Sequence, residues 1–250
     1  MSIELAKEHF IDLRKKATRA IEFRGLGEQI AKVALVLDIS GSMSNLYANG
    51  TVQDVVERTL ALGIKFDDNQ AIDVFLFGVN DYEVGELTED RFYEYVSREI
   101  TSKYRLEGST NYAGVMQRIM DKYTSAGKSK KSPLGKIFGS LIKEKNEAVT
   151  IDEPVYVLFV TDGDNHDKEE ARRVIREASK RGIFFQFVGV GREPFPFLEE
   201  LDDLQGRFLD NANFFYAGDI KNYDEQTLFD KLLTEFPGWI EQARSKNLIK

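Results

Sequence analysis

The chain has no cysteine, which excludes disulfides and thiolate metal sites and fits a reducing compartment. It has no apolar run approaching the length of a membrane span. Its first twenty residues, MSIELAKEHFIDLRKKATRA, scatter charges through any apolar stretch, so they do not read as a secretory signal. It also lacks an excess of positive charge. The formal net charge is -8, which argues against nucleic acid as a partner. No internal repeat or low-complexity linker is present. These absences set the expectation of a soluble, cytoplasmic globular protein. Its 250 residues suffice for one large domain or two small ones.

What is present is alternation. Residues 33–40, VALVLDIS, are β-branched and almost wholly apolar, as in a strand covered on both faces. Val52, Val55, Val56, Leu60 and Ile64 then recur at helical spacing. Residues 71–78 predict a second strand, 82–88 a short edge strand, and 89–100 a helix. A helix carrying Tyr112, Val115, Met116, Ile119 and Met120 on one face follows Thr110 and Asn111. Strands are expected over 154–163, 183–191 and 212–218. Asp167 is placed to cap the helix after the first of these, and Gly182 to end it. A last helix carries Leu228, Phe229, Leu232, Leu233 and Phe236, with Trp239 packed nearby. The pattern predicts a doubly wound, mostly parallel α/β sheet flanked by helices, with one short antiparallel edge strand. Residues 1–30 read as a helical extension packed on a main domain spanning 31–250. Within that domain, residues 125–149 hold six lysines against two glutamates. That stretch reads as a surface insertion, with a docking role toward an acidic partner or a membrane as its sharper alternative.

A doubly wound sheet places its ligand beyond the carboxyl ends of its strands. The segment LVLDISGSMSN puts Asp38 at such an end, with Ser40 and Ser42 two and four residues on. Gly41 between them is expected to let the loop turn tightly. EGSTN offers Thr110, and FVTDGDN offers Asp162 at another strand end. Two carboxylates and three hydroxyls form a hard-oxygen set suited to magnesium, manganese or calcium rather than zinc. Hydroxyls are neutral, so such a set neutralises a cation incompletely and leaves it attractive to an outside carboxylate.

DISGSM resembles the Asp-x-Ser-x-Ser motif of von Willebrand factor type A (vWA) domains, and Thr110 and Asp162 match that family's other two motif positions in order and placement. The resemblance spans about 33–220. It implies a metal-ion-dependent adhesion site with Asp38, Ser40, Ser42, Thr110 and Asp162 as ligands, direct or through water. It also implies a Rossmann-like fold and a protein partner that offers an Asp or Glu carboxylate. FVTDGDNHD, FVGVG, FPFLEELDDLQGR and DNANFF are similar to the bacterial TerF-like and copine-like branch, which occurs with tellurium-resistance and stress-response systems.

Competing readings are thinner. A magnesium-dependent phosphohydrolase resembling the haloacid-dehalogenase class would need a second carboxylate two residues after Asp38, where this chain has Ser40. Asp164 keeps that alternative open. A dinucleotide site lacks the Gly-x-Gly-x-x-Gly opening in the first unit. His166 reads as a solvent-facing loop residue, His9 as structural, and no enzyme is expected.

Overall fold

The structure, a computed structural model, describes residues 2–125 and 148–250. Strand β1 (Lys32–Asp38) explains the layering. Every residue after Lys32 is buried. Val33, Leu35 and Leu37 point into one core, Ala34 and Val36 into the other, as alternation across a doubly covered strand requires. Around it lie β2 (Ala71–Phe77), β3 (Asp81–Thr88), β4 (Val155–Thr161), β5 (Ile183–Val190) and β6 (Ala212–Gly218). They form one sheet in the order β3-β2-β1-β4-β5-β6. All neighbours are parallel except β3, which runs antiparallel along β2 at the edge. The order turns back on itself between β1 and β4, which defines the crevice at their carboxyl ends.

One core is covered by α1 (Ile3–Phe23), α3 (Thr51–Phe66), α7 (Glu225–Leu232) and α8 (Phe236–Ser245). The other is covered by α4 (Ala113–Ser125), α5 (Lys168–Ala178) and α6 (Pro196–Asp202). A short helix, α2 (Ser44–Ala48), follows the loop after β1. Helix α1 is capped by Ser2, whose Oγ accepts the Leu5 N–H at 3.3 Å. Its Phe10, Leu13, Ala17, Ala20 and Ile21 enter the same core as α3 and α7. Lys16 of α1 also pairs with Glu225 of α7 at 3.0 Å.

Three local expectations are corrected. Residues 89–100 do not form one helix: a 3-10 turn spans Glu89–Arg91 and a π turn Val96–Thr101. The Gln53 side chain accepts from Val96 N–H and donates to the Phe92 carbonyl, both at 2.9 Å. Those are the two groups that a continuous helix would pair with each other, and Glu94 takes a φ of 51° between them. The last helix is two: Pro237 sits in the first turn of α8, after a break behind α7. Gly41 opens a 3-10 turn over Gly41–Met43, and a Cβ there would make only an ordinary 3.7 Å contact with the Glu107 carbonyl, so the turn does not demand glycine. Residues 126–147 hold all the lysines and glutamates of the basic stretch. They lie outside the described residues, as does the partner or membrane contact assigned to them.

Phe10 is buried and stacks on Phe92 with ring centroids 4.5 Å apart. Phe10→Ala should cost about 3–5 kcal/mol and lower the urea midpoint of the whole chain. An unmoved midpoint would mean that α1 is not part of the folding unit.

Candidate functional site

The parallel register brings the site together. Leu37 pairs with Val160, so the next residues, Asp38 and Thr161, meet across the strand ends. The Thr161 hydroxyl donates to Asp38 Oδ2 at 2.6 Å. The Ser40 backbone N–H donates to Asp38 Oδ1, also at 2.6 Å. Oxygens continue outward from there. Ser40 Oγ lies 3.0 Å from Ser42 Oγ, and the Ser42 hydroxyl donates to Asp162 Oδ1 at 2.8 Å. Tyr47 fastens the loop from behind by donating to the Asp38 carbonyl at 2.9 Å.

A third loop closes on these two. Glu107 N–H donates to the Ile39 carbonyl at 2.7 Å, and Gly41 N–H to the Glu107 carbonyl at 2.8 Å. The Glu107 carboxylate accepts from Asn80 N–H at 2.8 Å and from the Tyr82 hydroxyl at 2.6 Å. It rests over Gly78, where a Cβ would come within 2.6 Å of Oε2, so this approach does require glycine. Thr110, in the same loop, is buried. Its carbonyl accepts the His166 N–H at 3.0 Å, joining the loop to the one after β4. No hydrogen bond links the Thr110 hydroxyl to the cluster among the described residues. Four of the five expected side chains, Asp38, Ser40, Ser42 and Asp162, are therefore linked through hydrogen bonds, and the fifth stands on an adjoining loop.

The loop after β4 corrects the reading of its acids. Asp167 makes no capping bond to its own helix, α5. Its two oxygens accept Tyr112 N–H at 2.9 Å and Ala113 N–H at 2.7 Å, so it caps α4 from across the crevice. Thr110 is accordingly not that helix's cap. Asp164 is exposed and pairs with Lys168 at 2.5 Å. His166 is exposed, as expected. Asn165 is buried, and its Oδ1 has no partner. The residues missed from sequence are those that hold the ligand candidates in place: Thr161, Tyr47, Glu107 and Tyr112. Tyr112 is fully buried and donates to the Gly163 carbonyl at 2.6 Å. A signal for Thr161 was present, since two adjacent parallel strands that end in step put it beside Asp38.

The electrostatics are unbalanced. Asp38 is wholly buried and Asp162 nearly so, yet neither forms an ion pair with a basic side chain among the described residues. Burial pushes the Asp38 carboxyl up to about 6, against the bonds from Thr161 and Ser40, and the nearby Asp162 adds to the rise. Burial also raises Asp162, opposed by Ser42 and reinforced by Glu193. Two buried carboxylates without a countercharge, lined by hydroxyls, form a donor set that a hard divalent cation fits. Among the described residues no group of three or more His, Asp or Glu side chains is placed to hold a metal. Any cation here would depend on hydroxyl and water oxygens besides the two acids.

A doubly wound sheet of this order, with a serine-rich loop after β1 facing loops that carry Thr110 and Asp162, is the architecture of a vWA domain. The family described as "vWA found in TerF C terminus" matches residues 30–140 and 134–249, and the chain belongs to that TerF-like vWA family. It is 36% identical over 243 residues to the uncharacterized protein YcbR of Bacillus subtilis (strain 168), covering 96% of this chain and 90% of that one. Solved structures with a similar course include proximal thread matrix protein 1 from the mussel byssus with a zinc-occupied MIDAS motif, at 15% identity and a TM-score of 0.47, covering 82% of this chain and 47% of that one. Another is the ArnB paralog VWA2 from Sulfolobus acidocaldarius, at 14% identity and a TM-score of 0.47, covering 83% and 45%. This chain thus spans about half the length of those two. No helix among the described residues is long and apolar enough to cross a membrane.

The Asp38 shift has a testable sign. Its carboxyl titrates near 6 when folded, against an ordinary value of 3.8, so protonation favours the folded chain. The cost of burying the charge is full above about pH 6 and disappears as the pH falls toward 4. In chelator near pH 7.5, Asp38→Asn should therefore stabilise the protein by up to about 3 kcal/mol. The gain should vanish near pH 4, as read by urea unfolding at both values. A variant less stable than wild type at both pH values would show that the charge is not strained.

Proposed function

We propose that the chain is a metal-dependent protein-binding module that captures a partner's carboxylate. The observation carrying this reading is the pair of buried acids, Asp38 and Asp162, with no ion-pair partner among the described residues, at the mouth of the sheet's switch point. Asp38, Ser40 and Ser42 would hold a magnesium or manganese ion, with calcium as a further candidate. Asp162 and Thr110 would complete the set directly or through water. When bound, the ion would supply Lewis-acid attraction for a partner's carboxylate. The protein's part is geometric. Thr161 and the Ser40 N–H fix the two oxygens of Asp38, Tyr47 anchors the turn behind it, and Asp167 locks the loop carrying Thr110 to the loop carrying Asp162. Family membership supports a setting in a bacterial tellurium-resistance or stress-response system and a cytoplasmic location.

The donor set favours gripping over turnover. A general base must come within hydrogen-bond reach of the proton it takes. The position two residues after Asp38 holds Ser40, a neutral hydroxyl that is no base, and Asp164 is exposed and paired with Lys168.

Asp38→Ala should abolish magnesium- or manganese-dependent partner capture in pull-downs while circular dichroism shows the chain folded. Capture unaffected by the substitution and by chelation would refute the binding role. Magnesium-dependent turnover of a phosphate ester that Asp38→Asn abolishes would replace it with phosphohydrolysis.

A further inference from the structure

The junction between α2 and α3 carries chemistry of its own, and we infer that Asn49 is a site of spontaneous deamidation, released when the cap it forms on α3 opens. Asn49 is the only asparagine in the sequence that a glycine follows. A side-chain amide in that position is open to attack by the glycine's backbone nitrogen, because no Cβ shields the nitrogen. The surroundings leave the pair accessible. Asn49 is exposed. Gly50 has a φ of 84°, and nothing lies within 4 Å of where its Cβ would stand. The Gly50 N–H makes no hydrogen bond among the described residues.

The step needs only water. The Gly50 nitrogen gives up its proton to solvent and bonds to Asn49 Cγ. The Cγ–Nδ2 bond then breaks, and Nδ2 leaves as ammonia after taking a proton from solvent. The product is a five-membered cyclic imide. Water adds to one of its two carbonyls. Cleavage at Cγ yields aspartate, and cleavage at the backbone carbonyl yields isoaspartate, whose chain runs through Cγ. Either way one neutral amide becomes one carboxylate. An aspartate keeps a cap on α3 and adds a charge that the amino end of a helix favours. An isoaspartate lengthens the backbone two residues after Tyr47, whose hydroxyl holds the Asp38 carbonyl.

Two bonds hold the pair short of reaction. Gly50 occupies the N-cap position of α3 and has no side chain to offer, so Asn49 supplies the cap. Its Oδ1 accepts the Thr51 N–H at 3.0 Å. Its carbonyl accepts from Lys221 Nζ at 2.9 Å, and Lys221 lies 3.6 Å from Asp54 in the first turn of α3. Lys221 comes from the 3-10 turn Ile220–Asn222, between β6 and α7. With the Asn49 ψ at 2°, the Gly50 nitrogen eclipses the Asn49 nitrogen instead of facing Cγ. Ring closure therefore needs ψ to turn, which breaks the cap and pulls the carbonyl from Lys221. The rate in the folded chain is set by this local opening, and the lysine from the distant turn restrains it.

Incubation near pH 8 followed by peptide mapping with mass spectrometry tests this, and isoaspartate is read separately with an isoaspartyl methyltransferase and labelled S-adenosylmethionine. The native chain should gain the amide-to-acid mass change at Asn49 before any other asparagine, and Asn49→Gln should lose that product. The chain unfolded in guanidinium chloride should convert faster than the native one. Lys221 is exposed, so Lys221→Ala should stay folded by circular dichroism. Its native conversion should be about fivefold faster than wild type, while the two chains convert equally in guanidinium. Native conversion at Asn49 no faster than at the other asparagines overturns the inference. An unfolded chain that converts no faster than the native one, or a native Lys221→Ala rate equal to wild type, overturns the control by the cap and the lysine.

Discussion

A carboxylate buried at the end of a parallel strand, with no basic side chain paired to it among the described residues, is the constraint around which this molecule is arranged. Taking a charge out of water is costly unless it is paired or richly hydrogen-bonded. Asp38 receives two short hydrogen bonds, and still its carboxyl is pushed up to about 6. A fold tolerates such a group only where the surroundings over-determine it. Three loops do so here: the turn after β1 through Ser40 and Tyr47, the strand end of β4 through Thr161, and the 107–111 segment through Glu107. Packing holds these loops rigid. Tyr112 fills the space beneath the β4 loop and makes edge contacts with Phe77 and Phe159, so the polar rim stands on an aromatic floor.

The stability behind the site is contributed by both cores. The helices over one face include α1, which is bonded through Lys16 to α7 and stacked through Phe10 on Phe92. Over the other face, α4 begins at the crevice, and its first N–H groups are satisfied by Asp167 from the neighbouring loop. An acid near the site thereby stabilises a helix terminus. The favourable interaction of a carboxylate with the amino end of a helix also fixes the distance between the second and third loops.

Much of this was legible in the sequence because it follows from local rules. Unbroken apolar runs at 33–37 and 155–160 mark strands covered on both faces, and the alternation of elements gives the parallel sheet. The placement of Asp38 and Asp162 after those runs puts them at strand ends. The antiparallel strand at 81–88 was readable as a polar edge. What was not legible depends on contacts between distant segments. Gln53 interrupts the expected 89–100 helix by taking the Phe92 and Val96 backbone groups, and no periodicity within 89–100 reports that. Asp167 has the position of a local cap, and only the tertiary approach of α4 redirects it. Thr161 stands inside the FVTDGDN segment, but its value lies in the register between β1 and β4 rather than in its spacing from Asp162.

The account stands on a divalent cation as the missing countercharge of Asp38 and Asp162. Diffraction from crystals grown with manganese tests this most directly. An anomalous peak within coordinating distance of Asp38, Ser40 and Ser42 is expected, absent from crystals of the Asp38→Ala variant. An undistorted, accessible site that shows no anomalous peak at saturating manganese would contradict the account.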